Sequence, residues 1–224
     1  MKDVDLIFGP RVPKDLFQRE RKRFLVPTAL FAAAGVLLLV SIFLPYWQLT
    51  LLAPQYPGGL KAQMYVNRLN GDVQEIDGLN HYIGMRPLGD AAKLERSLSV
   101  VMIVVLTLLT ATAIFVHSPF ALFLAIPAII YPGVFLADLY FWMRSFGMNL
   151  DPKAPLSSAV KPFVPPLLGP GDVGQFKTVA SWEAGLILAL LASLTTIVAL
   201  YFHRRAYKPL LVARLAAQKK DGSW

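Results

Sequence analysis

The sequence predicts a mainly α-helical integral membrane protein: four transmembrane helices with a small extracytoplasmic β-hairpin and helical domain between helices 1 and 2. Three observations predict it. Hydrophobic residues make up 55% of the 224 and charged residues only 16%, less charge than a soluble domain of this length carries. The apolar residues fall in four blocks, 24–47, 98–117, 120–143 and 182–202, each about the 20 residues that cross a hydrocarbon core. The basic residues gather at the chain ends.

Residues 1–23 form a basic arm with Lys2, Arg11, Lys14, Arg19, Arg21, Lys22 and Arg23. Residues 203–224 form a basic tail with Arg204, Arg205, Lys208, Arg214, Lys219 and Lys220. Together they hold 13 of the 22 basic residues, and the positive-inside rule puts both termini in the cytoplasm. Juxtamembrane basic clusters are accounted for by topology and anionic lipid, so nucleic acid is not an expected partner. The first helix, 24–47, follows a long polar stretch and ends in "FLPYWQ". That pattern is an interfacial aromatic anchor and not a cleavable signal, so the helix is expected to be retained. Helix 1 then exits the cytoplasm, and residues 48–97 lie outside.

In 48–97, Leu60, Ala62, Met64 and Val66 alternate with Lys61, Gln63, Tyr65 and Asn67. Asn70-Gly71 follows, the favoured dipeptide of a two-residue turn, which predicts a hairpin over 59–77. Asp77 is a candidate cap for a helical turn through "GLNHYIGM". Arg86-Pro87 ends that turn. Asp90 is placed to cap a helix that begins at "AAKLERS" and runs on into helix 2, 98–117. The short "HSPF" link makes helices 2 and 3 a tight hairpin on the inner side. Helix 3, 120–143, carries Pro127 and Pro132-Gly133, which free backbone carbonyls or kink the helix for packing. The second outer segment, 144–181, is rich in Pro and Gly and shows no period, which predicts an irregular loop, either ordered over the helix ends or mobile. Helix 4 covers 182–202. The tail "RRAYKPLLVARLAAQKK" sets Leu211 and Leu215 among basic residues, as in a helix lying on a membrane surface.

Several residues are candidates for chemistry. His81 and Met85 stand at i and i+4, and share a face if the stretch is helical. Imidazole and thioether together suit copper, and thioether suits Cu(I). Met64, Met143 and Met148 fall on the same side of the membrane, so His81, Met85, Met64 and Met148 form a candidate copper set. The alternative is structural: His81 bonds a backbone carbonyl and Met85 fills a gap. Asp138 and Glu183 are candidate intramembrane carboxylates, as cation ligands, proton relays or partners of Arg144 or Lys177. Glu183 also suits the start of a helix by complementing its dipole. His117 and His203 sit at inner helix ends and would hold a haem only if they faced each other at one depth. No Cys occurs, which excludes disulfides, Cys-type zinc sites and Fe–S clusters. No G-x-S-x-G, P-loop or H-E-x-x-H motif is present, and no catalytic residue is expected.

The stretch "QYPGGLKAQMYVNRLNGDVQEIDGLNHYIGM" and the later "NLDPKAPLSSAVKPFVPPLLG" resemble a family of small bacterial membrane proteins associated with maturation of nitrous oxide reductase, a periplasmic copper enzyme. The resemblance lies in the two outer segments, about a third of the chain. It implies a bacterial inner-membrane protein that assists copper delivery to, or assembly of, such an enzyme, with membrane or periplasmic partner proteins. Lys153 stands where a ligand such as His would be expected, which weakens a metal role for the second segment. The alternative function is that of a structural subunit of a larger respiratory membrane complex.

Overall fold

The computed structural model describes residues 8–10, 12–173 and 176–220. Four of its helices are long and apolar enough to cross a membrane. In order the elements are α1 (Lys14–Arg19), α2 (Arg21–Ser41), β1 (Trp47–Ala53), β2 (Tyr56–Met64), β3 (Leu69–Gly71), α3 (Val73–Ile83), α4 (Lys93–Ala113), α5 (Phe120–Met148), β4 (Gly169–Val173), β5 (Phe176–Trp182) and α6 (Ala184–Lys220). A short 3₁₀ turn, Leu88–Asp90, precedes α4.

The chain divides into two compact units. Among the described residues, the first holds those up to Leu39, Ile103–Tyr131 and those from Ala189 onward. Its core is Phe31, Ala113, Val116, Ala121, Ala125, Ala199 and Leu200. The many alanines let helix backbones approach closely, as at interfaces between membrane helices. Polar side chains add ties: Ser193 Oγ donates to the Ile129 carbonyl at 2.7 Å, and Arg23 donates to the carbonyls of Arg205 and Ala206. α1 packs through Leu16 and Phe17 onto Phe24, Ala206 and Tyr207.

The second unit spans Val40–Met102 and Pro132–Leu188. It is built on a five-stranded antiparallel sheet in the order β3-β2-β1-β5-β4. In β1, "WQLTLLA", Trp47, Leu49, Leu51 and Ala53 point to one face and Gln48, Thr50 and Leu52 to the other. The first face is buried. At one end it meets Leu139 and Met143 of α5, and at the other Ile76 of α3 packs with Leu51, Leu60 and Ala62. The opposite face is polar, with Gln63 Nε2 donating to Gln48 Oε1 at 3.0 Å. Trp47 Nε1 donates to the Leu167 carbonyl at 2.8 Å, tying the Pro-rich segment to the sheet.

The expected hairpin is present in part, but its turn lies elsewhere. β2 and β3 pair with Met64 opposite Leu69, so the turn is 65–68, where Tyr65 N–H donates to the Arg68 carbonyl and the Arg68 guanidinium lies 4.0 Å over the Tyr65 ring. Asn70-Gly71 belongs to β3. The larger hairpin is β1–β2, turning at Pro54-Gln55. β1 begins at Trp47, the residue expected to end helix 1. Pro45 offers no backbone donor to extend α2, which closes at Ser41.

Residues 144–181, expected to be an irregular outer loop, are not wholly irregular, because β4 and most of β5 lie there. The rest is held by backbone bonds: Asp151 N–H to Gly84, Leu156 N–H to Tyr82 and Phe163 N–H to Gly147. Trp182 closes β5 opposite Trp47 and does not open helix 4. α6 runs on through Pro209 to Lys220 as one helix of 37 residues, where a span and a separate surface helix are expected from sequence.

Candidate functional site

α3 starts at Val73, earlier than a cap at Asp77 implies. Asp77 is inside the helix and accepts from Leu88 N–H at 2.7 Å. Asp72 precedes the helix and accepts from Lys61 N–H at 2.9 Å. The helix ends at Gly84, whose φ of +80° is left-handed. Met85 N–H reaches back to the Asn80 carbonyl at 2.9 Å, closing a Schellman motif. Asp90 does not cap α4. It pairs with Lys93 at 2.7 Å, and that hydrogen bond holds the Asp90 carboxyl below the usual carboxylate range.

This geometry separates His81 from Met85. His81 is exposed on α3, its ring edge against Tyr82. Met85 lies past the cap, outside the helix, so the i, i+4 face is not formed. It packs against Ile83, Val160 and Val173. Met64 packs against Trp47, Leu139 and Met143. Met148 ends α5, 44% exposed, beside a shallow cleft of about 360 Å³ with Phe141, Arg144, Ser145 and Asn149. The four predicted ligands are thus distributed over different packing environments.

Asp138 is half-buried on α5, and among the described residues it forms no ion pair with Arg144 or Lys177. Trp142, one turn later on the same face, has a buried indole N–H that meets no acceptor at strict hydrogen-bond geometry but interacts with the Asp138 side chain. Glu183 is the residue before α6: its carbonyl accepts from Ile187 N–H, and its carboxylate accepts from Ser181 Oγ at 2.8 Å. It stands where a carboxylate complements the helix dipole. Pro127 and Pro132 lie within a continuous α5.

The structure assembles one cluster that the sequence left dispersed. His117 sits in the turn between α4 and α5, its backbone N–H bonded to the Phe8 carbonyl and its Nδ1 3.2 Å from the Pro10 carbonyl. Its ring stacks on Tyr207 at 3.9 Å, nearly parallel, and its centre is 6.1 Å from that of His203. Tyr207 is also 4.7 Å from His203. The phenol ring therefore fills the space a macrocycle would need between two axial imidazoles, and the pair does not fit a bis-His haem. Both His residues stand where an apolar run gives way to polar residues, the one sequence signal that they share a level. Among the described residues, no three of His, Cys, Asp and Glu come together to hold a metal ion.

The fold thus defines a chain with four helices of membrane-crossing length and apolarity and a small antiparallel sheet. No known protein family, curated protein or solved structure matches it.

Proposed function

We propose that this chain is a non-catalytic accessory protein of a bacterial inner membrane, with four spans, both termini cytoplasmic, and a folded outer unit that holds a partner protein. The observation that carries this reading is the sheet of the second unit. Residues 47–71 and 169–182, far apart in sequence, combine into one five-stranded structure. Its buried face is filled by ordinary packing residues, among them Met64. Such construction suits a platform for assembly better than a catalytic centre. The resemblance in the outer segments supplies the partner class, the proteins that mature nitrous oxide reductase. The reading as a subunit of a larger respiratory complex makes the same use of the unit. Purification in mild detergent, with identification of co-purifying proteins, tests it. Maturation proteins or the enzyme itself are the expected companions. A chain that purifies alone at native expression levels ends the proposal.

A copper role is a second reading, favoured by the exposed imidazole of His81 and by the resemblance. It is a transient surface site at His81; a thioether donor, whether Met85, Met64 or the exposed Met148, would have to leave its present packing to join it. Titration with a Cu(I) competitor should show weaker binding in His81→Ala and Met85→Leu, and weaker binding in acid, since only neutral imidazole ligates. Equal copper uptake by wild type and His81→Ala removes this reading without touching the first.

A further inference from the structure

We infer that the cleft between residues 118–122, at the start of α5, and α6 binds the phosphate headgroup of an anionic glycerophospholipid, with His203 and Arg204 as its polar contacts. The cleft measures about 110 Å³ and is lined by Ser118, Leu122, Leu200, Tyr201, His203 and Arg204, among others. His203 is only 3% exposed. Its Nε2 is buried and has no hydrogen-bond partner. Leaving such a nitrogen unpaired is destabilising, and native proteins keep few such groups without a reason. The ring is fixed by Phe31, edge-on at 5.9 Å, and by Tyr207. These contacts hold the imidazole in place but satisfy none of its polar atoms.

Arg204 follows in sequence. It is exposed and forms no ion pair among the described residues. An imidazole with an unpartnered Nε2 and a guanidinium fork lining one cleft suit a phosphate oxygen pair. The remaining wall, Leu122, Leu200 and the ring of Tyr201, is apolar. That wall offers nothing to a free inorganic anion but seats the acyl chain of a lipid. The volume is below the roughly 300 Å³ at which pockets begin to hold drug-sized ligands, and it suits one headgroup phosphate with its chain outside. Arg23, Arg205 and Lys208 belong to the same unit, and basic pockets between membrane helices on the cytoplasmic side are where anionic headgroups bind.

The test uses the full chain in mild detergent, with retained lipid read by native mass spectrometry and stability by thermal melting. Phosphatidylglycerol, phosphatidylcholine of the same acyl chains, and inorganic phosphate are added separately. Phosphatidylglycerol should be retained and should raise the melting temperature, while the other two should not. Arg204→Gln should weaken retention about tenfold, as expected for one charged hydrogen bond. Arg205→Gln, with the same loss of charge outside the cleft, should not. His203→Phe should abolish the lipid-dependent rise while leaving the lipid-free protein at least as stable as wild type. Should that variant not fold, the comparison of Arg204→Gln with Arg205→Gln decides. Equal retention by those two variants, equal binding of both lipids, or an equal shift with phosphate alone each overturns the inference. The inference rests on the helices lying in a bilayer. Absence of the chain from the membrane fraction would remove that premise and the proposed function together, whereas a membrane-bound chain with no lipid preference overturns the lipid site alone.

Discussion

A Cβ at Gly71 would stand 2.2 Å from the Lys61 carbonyl oxygen, and the residue's φ of +92° lies where side chains are strained. Both constraints come from the close pairing of β3 with β2, not from a two-residue turn. Gly71→Val should therefore destabilise the sheet by on the order of 1–3 kcal/mol while the long helices stay formed. Limited proteolysis checks this, with earlier cleavage in residues 47–71 expected. Tyr46 makes a different argument. It is fully buried, and its hydroxyl meets Ser41 Oγ at 2.7 Å. Its ring also packs 4.8 Å from that of Phe135. Tyr46→Phe keeps the ring and removes the hydroxyl, so its cost should be about 1 kcal/mol. Tyr46→Ala also empties the space and should cost about 3–5 kcal/mol. Melting temperatures in detergent should rank wild type, then Phe, then Ala.

β5 shows how one strand organises residues far from it. Val179 pairs with Thr50 on one side and Pro170 on the other. Its side chain is exposed, so replacing it vacates no core. Val179→Pro removes a backbone donor from an interior strand, where proline is not tolerated. Amide exchange should then quicken in β1, more than a hundred residues away, while the far-UV helical signal is unchanged. Undisturbed protection of residues 47–53 would mean that β5 is not a working partner of β1. α6 is the helical counterpart. At about 1.5 Å per residue its 37 residues reach about 55 Å, well beyond the ~30 Å of a hydrocarbon core. Its Arg-rich later turns must then lie outside the apolar layer if Ala184 is inside it.

Both described ends of the chain belong to one compact unit, and both long connections, 48–97 and 144–181, belong to the other. This is the division that a protein with two inner termini and two outer loops would have. The expected outcome is that the chain partitions wholly to membranes and resists carbonate extraction. Reporters fused at Lys14 and Gly71 should land on opposite sides of the membrane. The same side for both would end the proposed topology.

From sequence alone, the four helices were legible because a helix long and apolar enough to cross a membrane leaves a continuous record, a run of about 20 residues almost without charge. The five-stranded sheet left only half its record. The alternation from Leu60 to Val66 was visible, and Asn70-Gly71 was expected to make the turn, which lies instead at 65–68. β1 was masked, because its Trp47, Leu49 and Leu51 continue the apolar run of α2 past Pro45. β4 and β5 were masked by the Pro and Gly around them, and β5 finds its partner in β1, a pairing no local pattern announces. The same limit governs the sites. Residue types named His81, Met85, Met64 and Met148, but a left-handed Gly84 and the packing of Met64 and Met85 decide what each can reach. His117, Tyr207 and His203 carried no shared motif at all. They meet because antiparallel helices bring distant residues to one level, and only the folded chain determines which ones.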